Sequence, residues 1–177
     1  LALESKEGLA ITNGATFSAA IAALCLHDAS SLLKISNISL AMSLEALAGC
    51  SSAFDERVHQ VRGMNGQKFV AKLIRQYIKN SELVDSSDKI QDAYSLRCAP
   101  QVQGIAWDTL NFIWNIIDAE INAATDNPLL FDPHVVISGG NFHGEPIGVA
   151  MDFLSIVMSE IGAISERRIN RMIDGNL

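Results

Sequence analysis

Three short segments of this 177-residue chain gather side chains that can do chemistry. The densest is Gln91-Asp92-Ala93-Tyr94-Ser95-Leu96-Arg97, which brings an amide, a phenol and a guanidinium together just before Cys98-Ala99-Pro100-Gln101-Val102. Arg97 offers a planar fork of donors suited to a carboxylate. Tyr94 offers a hydroxyl that can move a proton if a neighbouring positive charge lowers its intrinsically high pKa. The same two residues would serve as well as a packed ring and an arginine that caps a carbonyl or pairs with a surface acid. The second segment, Ser138-Gly139-Gly140-Asn141-Phe142-His143-Gly144-Glu145-Pro146, sets Phe142 and His143 between glycines. Glycines let the backbone approach another surface closely and aim both side chains outward. A tight turn before a helix, with Asn141 as its cap and His143 partly solvated, fits the segment too. The third, Lys6-Glu7-Gly8-Leu9-Ala10-Ile11-Thr12-Asn13-Gly14, is turn-rich and places Asn13 just ahead of a helix. Taken alone, Asn-Gly is a turn signal, and an Asn before a helix is usually its cap.

Helical periodicity fills the stretches between these segments. Residues 16–33 are rich in Ala, Leu and Ile without Pro or Gly, and residues 37–48 continue in kind until Gly49, so two helices are predicted. Residues 50–66 read as a loop-rich connection, and residues 68–79 as a shorter amphipathic helix ending near Asn80. The polar, irregular stretch 81–97 is a place where a functional loop can sit. After Pro100, Val102, Ala106, Leu110, Ile113, Ile117 and Ile121 form an apolar stripe opposite Asp108, Asn111, Asn115, Asp118 and Asn122. Trp107, Phe112, Trp114 and Ile116 widen the apolar part, which predicts a long helix buried on more than one side. It should end near Asp126-Asn127-Pro128, because the residue before a proline is driven out of the α region. Residues 129–146 lack helical periodicity. After Pro146 the stripe resumes as Ile147, Ala150, Leu154, Val157, Ile161 and Ile164, running to about Met172. The predicted fold is all-α: a long-helix bundle in a single segment, 1–177, with a short extended or hairpin excursion near residues 129–141.

Charged residues are 19% of the chain against a usual value of about 25%, while 49% are hydrophobic. A chain so short of charge is expected to hide apolar surface in a homo-oligomer. The net charge of −7 argues against a nucleic-acid partner. The local basic cluster Arg167, Arg168 and Arg171 reads as cations complementing the C-terminal end of a helix. No run approaches the roughly 20 apolar residues of a membrane span, and no basic-then-apolar leader is visible, so the expectation is a cytoplasmic protein with no membrane partner. Cys25, Cys50 and Cys98 are widely spaced and predict free thiols. Neither they nor His27, His59, His134 and His143 show metal-ligand spacing, so no metal is expected.

In sequence and order the segments resemble the aromatic amino acid lyase family: histidine, phenylalanine and tyrosine ammonia-lyases and related aminomutases. The resemblance rests on Lys6-Glu7-Gly8-Leu9-Ala10, Gln91 to Arg97, Asn122-Ala123-Ala124-Thr125-Asp126-Asn127-Pro128, Gly139-Gly140-Asn141-Phe142-His143 and Ile164-Ser165-Glu166-Arg167-Arg168. Residues 97–102 and 138–145 are most similar to the histidine-acting branch. This implies non-oxidative elimination of ammonia from L-histidine to give urocanate. It also implies an electrophilic prosthetic group, methylidene-imidazolone, formed from an internal Ala-Ser-Gly. The chain has no Ala-Ser-Gly. The family carries it before the segment matched by Lys6, so the chain is expected to be a central, inactive part of a larger lyase. By resemblance, Tyr94 is a proton-transfer residue and Asn13 and Gln91 hydrogen-bond the prosthetic group or substrate. Arg97 binds the carboxylate, Phe142 packs on the substrate ring, and His143 lies beside it. A homotetramer whose sites combine residues of different subunits is implied as well. Two alternatives remain: a tyrosine or phenylalanine lyase or aminomutase of the same family, or a non-catalytic helical assembly domain. Joint retention of Asn13, Gln91, Tyr94, Arg97 and Phe142 weighs against the second.

Overall fold

The computed structural model of the chain describes residues 2–132 and 134–175. A short helix, α1 (Glu7–Thr12), occupies part of the segment read as turn-rich. It is followed by α2 (Thr16–Ala46), one helix of 31 residues where the sequence predicts two. The polar residues in its middle leave it unbroken because they bond back to its own turn. Ser36 Oγ and Asn37 Nδ2 both donate to Leu33 O, at 2.9 and 2.8 Å, and Gln103 Nε2 reaches Ser36 Oγ across the core at 2.9 Å.

The end of α2 also differs in detail from the expectation. The left-handed residue is Ala48, with φ 47°, and the Ala48 and Gly49 N–H groups bond back to Glu45 O and Leu44 O. Gly49 is needed for closeness instead: a Cβ there would lie 2.7 Å from Leu44 Cδ2 and 3.1 Å from Asp92 Oδ2.

Much of the predicted loop 50–66 is helical. A 3-10 turn at Ser51–Phe54 leads into α3 (Glu56–Arg62), whose N-cap Asp55 accepts from Arg57 N at 2.8 Å and which ends at Gly63, φ 83°. Elements this short fall below the length at which periodicity speaks. Next comes α4 (Asn65–Tyr77), which crosses α6 (Ala99–Ile121) at two glycines. A Cβ on Gly66 would overlap the Gly104 carbonyl, and one on Gly104 would lie 2.6 Å from Gln67 Cα. Asp108 on α6 accepts the Gly66 N–H at 3.0 Å, and Phe69 stacks on Trp107 with ring centroids 4.1 Å apart.

Helix α6 is the axis of the bundle, packed against α2, α4 and the final helix α7 (Glu145–Ile173), as its wide apolar arc predicts. It stops at Ile121, earlier than the proline rule suggests, because Asn122 turns back and its Nδ2 donates to Asp118 O at 2.8 Å. The predicted excursion is an antiparallel hairpin of β1 (Leu129–Asp132) and β2 (Val135–Ile137), with Leu129 opposite Ile137. Every residue of the α7 stripe from Ile147 to Ile164 is buried. Most of them join Ala19, Leu26, Leu33, Leu110, Ile113 and Ile117 in one cluster, while Ile164 joins a second with Leu40, Leu44, Phe54, Val70, Ile74 and Leu96. These pairings run α2 and α7 in the same direction, with α6 opposed.

Two surface expectations change. Arg168 is not a solvated helix-end cation: it is 2% exposed, donates Nη2 to Ser165 Oγ at 2.9 Å, and its Nη1 has no partner among the described residues. The stretch Glu7–Ala46 and helix α7 are each long and apolar enough, by length and composition alone, to cross a membrane. Here each lays one face into the core and leaves the other open, with Phe17, Ile21, Leu24, Leu32 and Ile35 exposed on α2 and Phe153 and Ile156 on α7.

Candidate active site

The stretch before α6 is strapped down and not a free loop. Helix and turn ends expose backbone groups that need partners, and residues 85–92 supply them around the end of α2. Lys89 Nζ donates to Leu47 O at 2.6 Å and Ser87 Oγ to Ala48 O at 2.9 Å. Asp85 Oδ1 accepts from Ser51 N at 2.7 Å and Asp92 Oδ2 from Cys50 N at 2.6 Å. Burial, with Asp92 and Asp85 close by, pushes the Cys50 thiol up. All three cysteines are free.

This strap leaves Gln91 at the surface and starts the one-turn helix α5 (Tyr94–Arg97). Tyr94 is 71% exposed, and Arg97 Cζ lies 4.5 Å from its ring centroid, within cation–π range. Among the described residues Arg97 neither caps a carbonyl nor pairs with an acid, and its Nε is buried without a partner, as is Gln101 Oε1 one turn further on. Buried groups left unsatisfied in this way are uncommon.

The second group forms around residues 124–127, beyond the far end of α6. Asn13 is the C-cap residue of α1, and its side chain caps neither flanking helix. Instead Asn13 Nδ2 donates to Asp126 Oδ1 at 3.1 Å, and Lys6, left-handed at φ 75°, pairs with Asp126 Oδ2. Lys6 and then Asn13 hold the Asp126 carboxyl below the usual carboxylate range. On the other side, Asn141 Nδ2 donates to Ala124 O at 3.2 Å and Asn127 Oδ1 accepts from Gly139 N at 2.7 Å. Asn141 therefore ties its loop to residue 124 and does not cap α7. That work falls to His143, whose Nδ1 accepts from Glu145 N at 3.2 Å. Phe142 and His143 are both exposed, and a Cβ on the adjacent Gly144 would lie 3.2 Å from Ala15 Cβ, beside the start of α2.

The structure thus gathers Asn13, Phe142 and His143 at one end and Gln91, Tyr94 and Arg97 at the other. Helix α6 separates them with 23 residues, which at about 1.5 Å each is roughly 35 Å. Within one chain they cannot share a substrate. The recess between α3 and α4, lined by His59, Lys68, Lys72 and Arg75, contains none of them, and Arg75 Nη1 is already bound to Phe54 O at 2.6 Å. The residues that sequence reasoning left without a role are Lys6 and Asp126. Both stand inside quoted motifs, but 120 positions apart, and nothing local pairs them.

Residues 1–177 match the family model described as aromatic amino acid lyase. A curated relative, histidine ammonia-lyase of Caldanaerobacter subterraneus subsp. tengcongensis, is 48% identical, with 100% of this chain and 35% of that protein covered. Among solved structures, histidine ammonia-lyase from Trypanosoma cruzi is 41% identical at a TM-score of 0.89, covering 100% of this chain and 33% of that one. Tyrosine aminomutase from Streptomyces globisporus is 34% identical at a TM-score of 0.94, covering 100% and 38%. The chain spans about a third of the length of these relatives.

Proposed function

Because the chain belongs to the aromatic amino acid lyase family, we propose that the whole protein is a histidine ammonia-lyase, eliminating ammonia from L-histidine to give urocanate. One observation carries the choice of substrate. Identity falls from 48% and 41% with two histidine ammonia-lyases to 34% with a tyrosine aminomutase, although the aminomutase superposes at 0.94 against 0.89 for the solved histidine enzyme. Backbone shape is common to the family, so side chains must carry the preference.

The β-hydrogen of the substrate is a very weak acid, so the reaction needs an electrophile and a base held together in a preorganised, water-poor site. Methylidene-imidazolone, when bound, supplies the electrophile that activates the amino acid. What supports a fit is Asn13: its NH2 is committed to Asp126, and its carbonyl oxygen has no partner among the described residues. Asn13 and the exposed Gln91 amide would hold the group. Arg97, with its Nε unsatisfied, takes the substrate carboxylate. Tyr94, under the Arg97 guanidinium, serves as a proton-transfer residue through its phenolic oxygen. Phe142 packs against the substrate ring, with His143 beside it.

These roles require the two ends of α6 to come from different subunits, so the whole protein acts as a homo-oligomer, a tetramer in our reading. The open apolar faces of α2 and α7 are suited to burial between subunits. Residues 1–177 alone are expected to be inactive. The test is an ultraviolet assay on the whole protein with histidine, tyrosine and phenylalanine. Urocanate from histidine, with no coumarate or cinnamate, is expected; product from tyrosine or phenylalanine in its place overturns the substrate assignment. In the same assay Tyr94→Phe and Arg97→Ala are each expected to cut turnover by at least about tenfold, or about 1.4 kcal/mol of barrier. Near-wild-type rates for both would remove these residues from the mechanism.

A further inference from the structure

The segment Thr125-Asp126-Asn127 is built like part of the site, yet none of its side chains enters the chemistry proposed above. Asp126 Oδ1 accepts from Asn13 Nδ2 at 3.1 Å and from Asn127 N at 2.7 Å, while Oδ2 takes Lys6 Nζ. The Asp126 side chain is only 14% exposed. An ionised carboxylate accepts hydrogen bonds and donates none. Of the two ways an Asn amide can point, this pairing therefore admits one: NH2 toward Asp126, carbonyl oxygen away from it.

The contact is also locked in place by the backbone. Gly14 has φ 104°, and a Cβ there would lie 2.8 Å from Thr125 Cβ, so the Asn13-Gly14 turn seats directly on residue 125. The Phe142 loop is fastened to the same segment through Asn127 Oδ1, and beside it through the preceding Ala124 O. We propose that Asp126, backed by Lys6, is a positioning residue that sets the polarity of the Asn13 amide, so that its carbonyl oxygen is the atom offered to the site. This rests on the reading of Asn13 as a site residue. An amide free to flip could present NH2 to the site in place of the carbonyl oxygen.

The test uses the whole protein. Asp126→Asn keeps the shape but can offer Asn13 either a donor or an acceptor. A fall in kcat of at least about tenfold is expected, with a fall at least as large in Asn13→Ala. The double variant should be no slower than Asn13→Ala alone, within about twofold, because the acid acts only through the amide. The ultraviolet band of the prosthetic group should shift in Asp126→Asn in the same direction as in Asn13→Ala. A wild-type kcat or an unshifted band in Asp126→Asn, or losses that multiply in the double variant, overturns the positioning role and leaves the reading of Asn13 standing. A wild-type kcat in Asn13→Ala overturns that reading itself. Should Asp126→Asn fail to assemble, Lys6→Gln takes its place, keeping the carboxylate and removing the cation. A loss of about threefold that vanishes in the Asn13→Ala background supports the role; one that persists there overturns it.

Discussion

His59 shows how far a single side chain can be read from its surroundings. It is almost fully buried between α3 and α4, and Ala53 O, 3.1 Å from Nε2, can only accept, so Nε2 carries the proton. Nδ1 is then the acceptor for Gln67 Nε2 at 2.9 Å, and the ring is neutral with both nitrogens satisfied. Burial pushes its pKa below 6.5. A histidine depressed in the folded state contributes stability that is fully present above the unfolded value and is lost as pH falls through the folded one. Denaturation midpoints should therefore drop as pH falls from about 7 toward 5. His59→Leu should flatten that slope while costing about 1–3 kcal/mol at neutral pH, because it orphans Ala53 O and Gln67 Nε2. An unchanged slope in the variant would assign the pH dependence to other groups. The sequence shows His59 only as a histidine without metal spacing; its partners lie 6 and 8 positions away, across turns that periodicity cannot place.

At the scale of elements, glycines decide how closely neighbours meet. Gly104→Ala would bring a Cβ to 2.6 Å from Gln67 Cα, a backbone atom that cannot rotate aside, so α4 must move off α6. Overpacking of this kind costs about 1–3 kcal/mol. Denaturant titration should show the loss, and tryptophan fluorescence should change as the Phe69–Trp107 stack opens; wild-type values in both would mean the crossing has slack. The end of α2 gives a sharper contrast between adjacent residues. Ala48→Gly relieves a left-handed alanine and should stabilise by up to about 1 kcal/mol. Gly49→Ala drives a Cβ into Leu44 and Asp92 and should destabilise by about 1–3 kcal/mol. Effects of the same sign at both positions would contradict this geometry. The stop itself was legible from Gly49. Which residue turns left-handed was not: Asp92, which lies against Gly49 and accepts from Cys50 N, stands 42 positions beyond Cys50.

The largest-scale consequence is the distance between the two groups of candidate residues. If each site draws Tyr94 from one subunit and Asn13 from another, two inactive variants should rescue each other. Co-expressed Tyr94→Phe and Asn13→Ala chains, assorting at random, would place both native side chains in roughly a quarter of the sites. Recovery of about that share of wild-type activity is expected in the mixed oligomer. Recovery no greater than the two parents would show that both residues act within one chain.

Local pattern determined the class of this fold. The stripes of α6 and α7 follow from 3.6-residue periodicity, the hairpin from its absence, and the candidate residues from their chemistry and order. Those properties belong to neighbours along the chain. The continuity of α2, the strap over its end, the glycine crossing and the partnership of Lys6, Asp126 and Asn13 were decided only in three dimensions, because each depends on groups that meet after the helices have packed. The placement of the two groups of candidate residues belongs there too: a rigid helix of 23 residues holds them at opposite ends of the bundle.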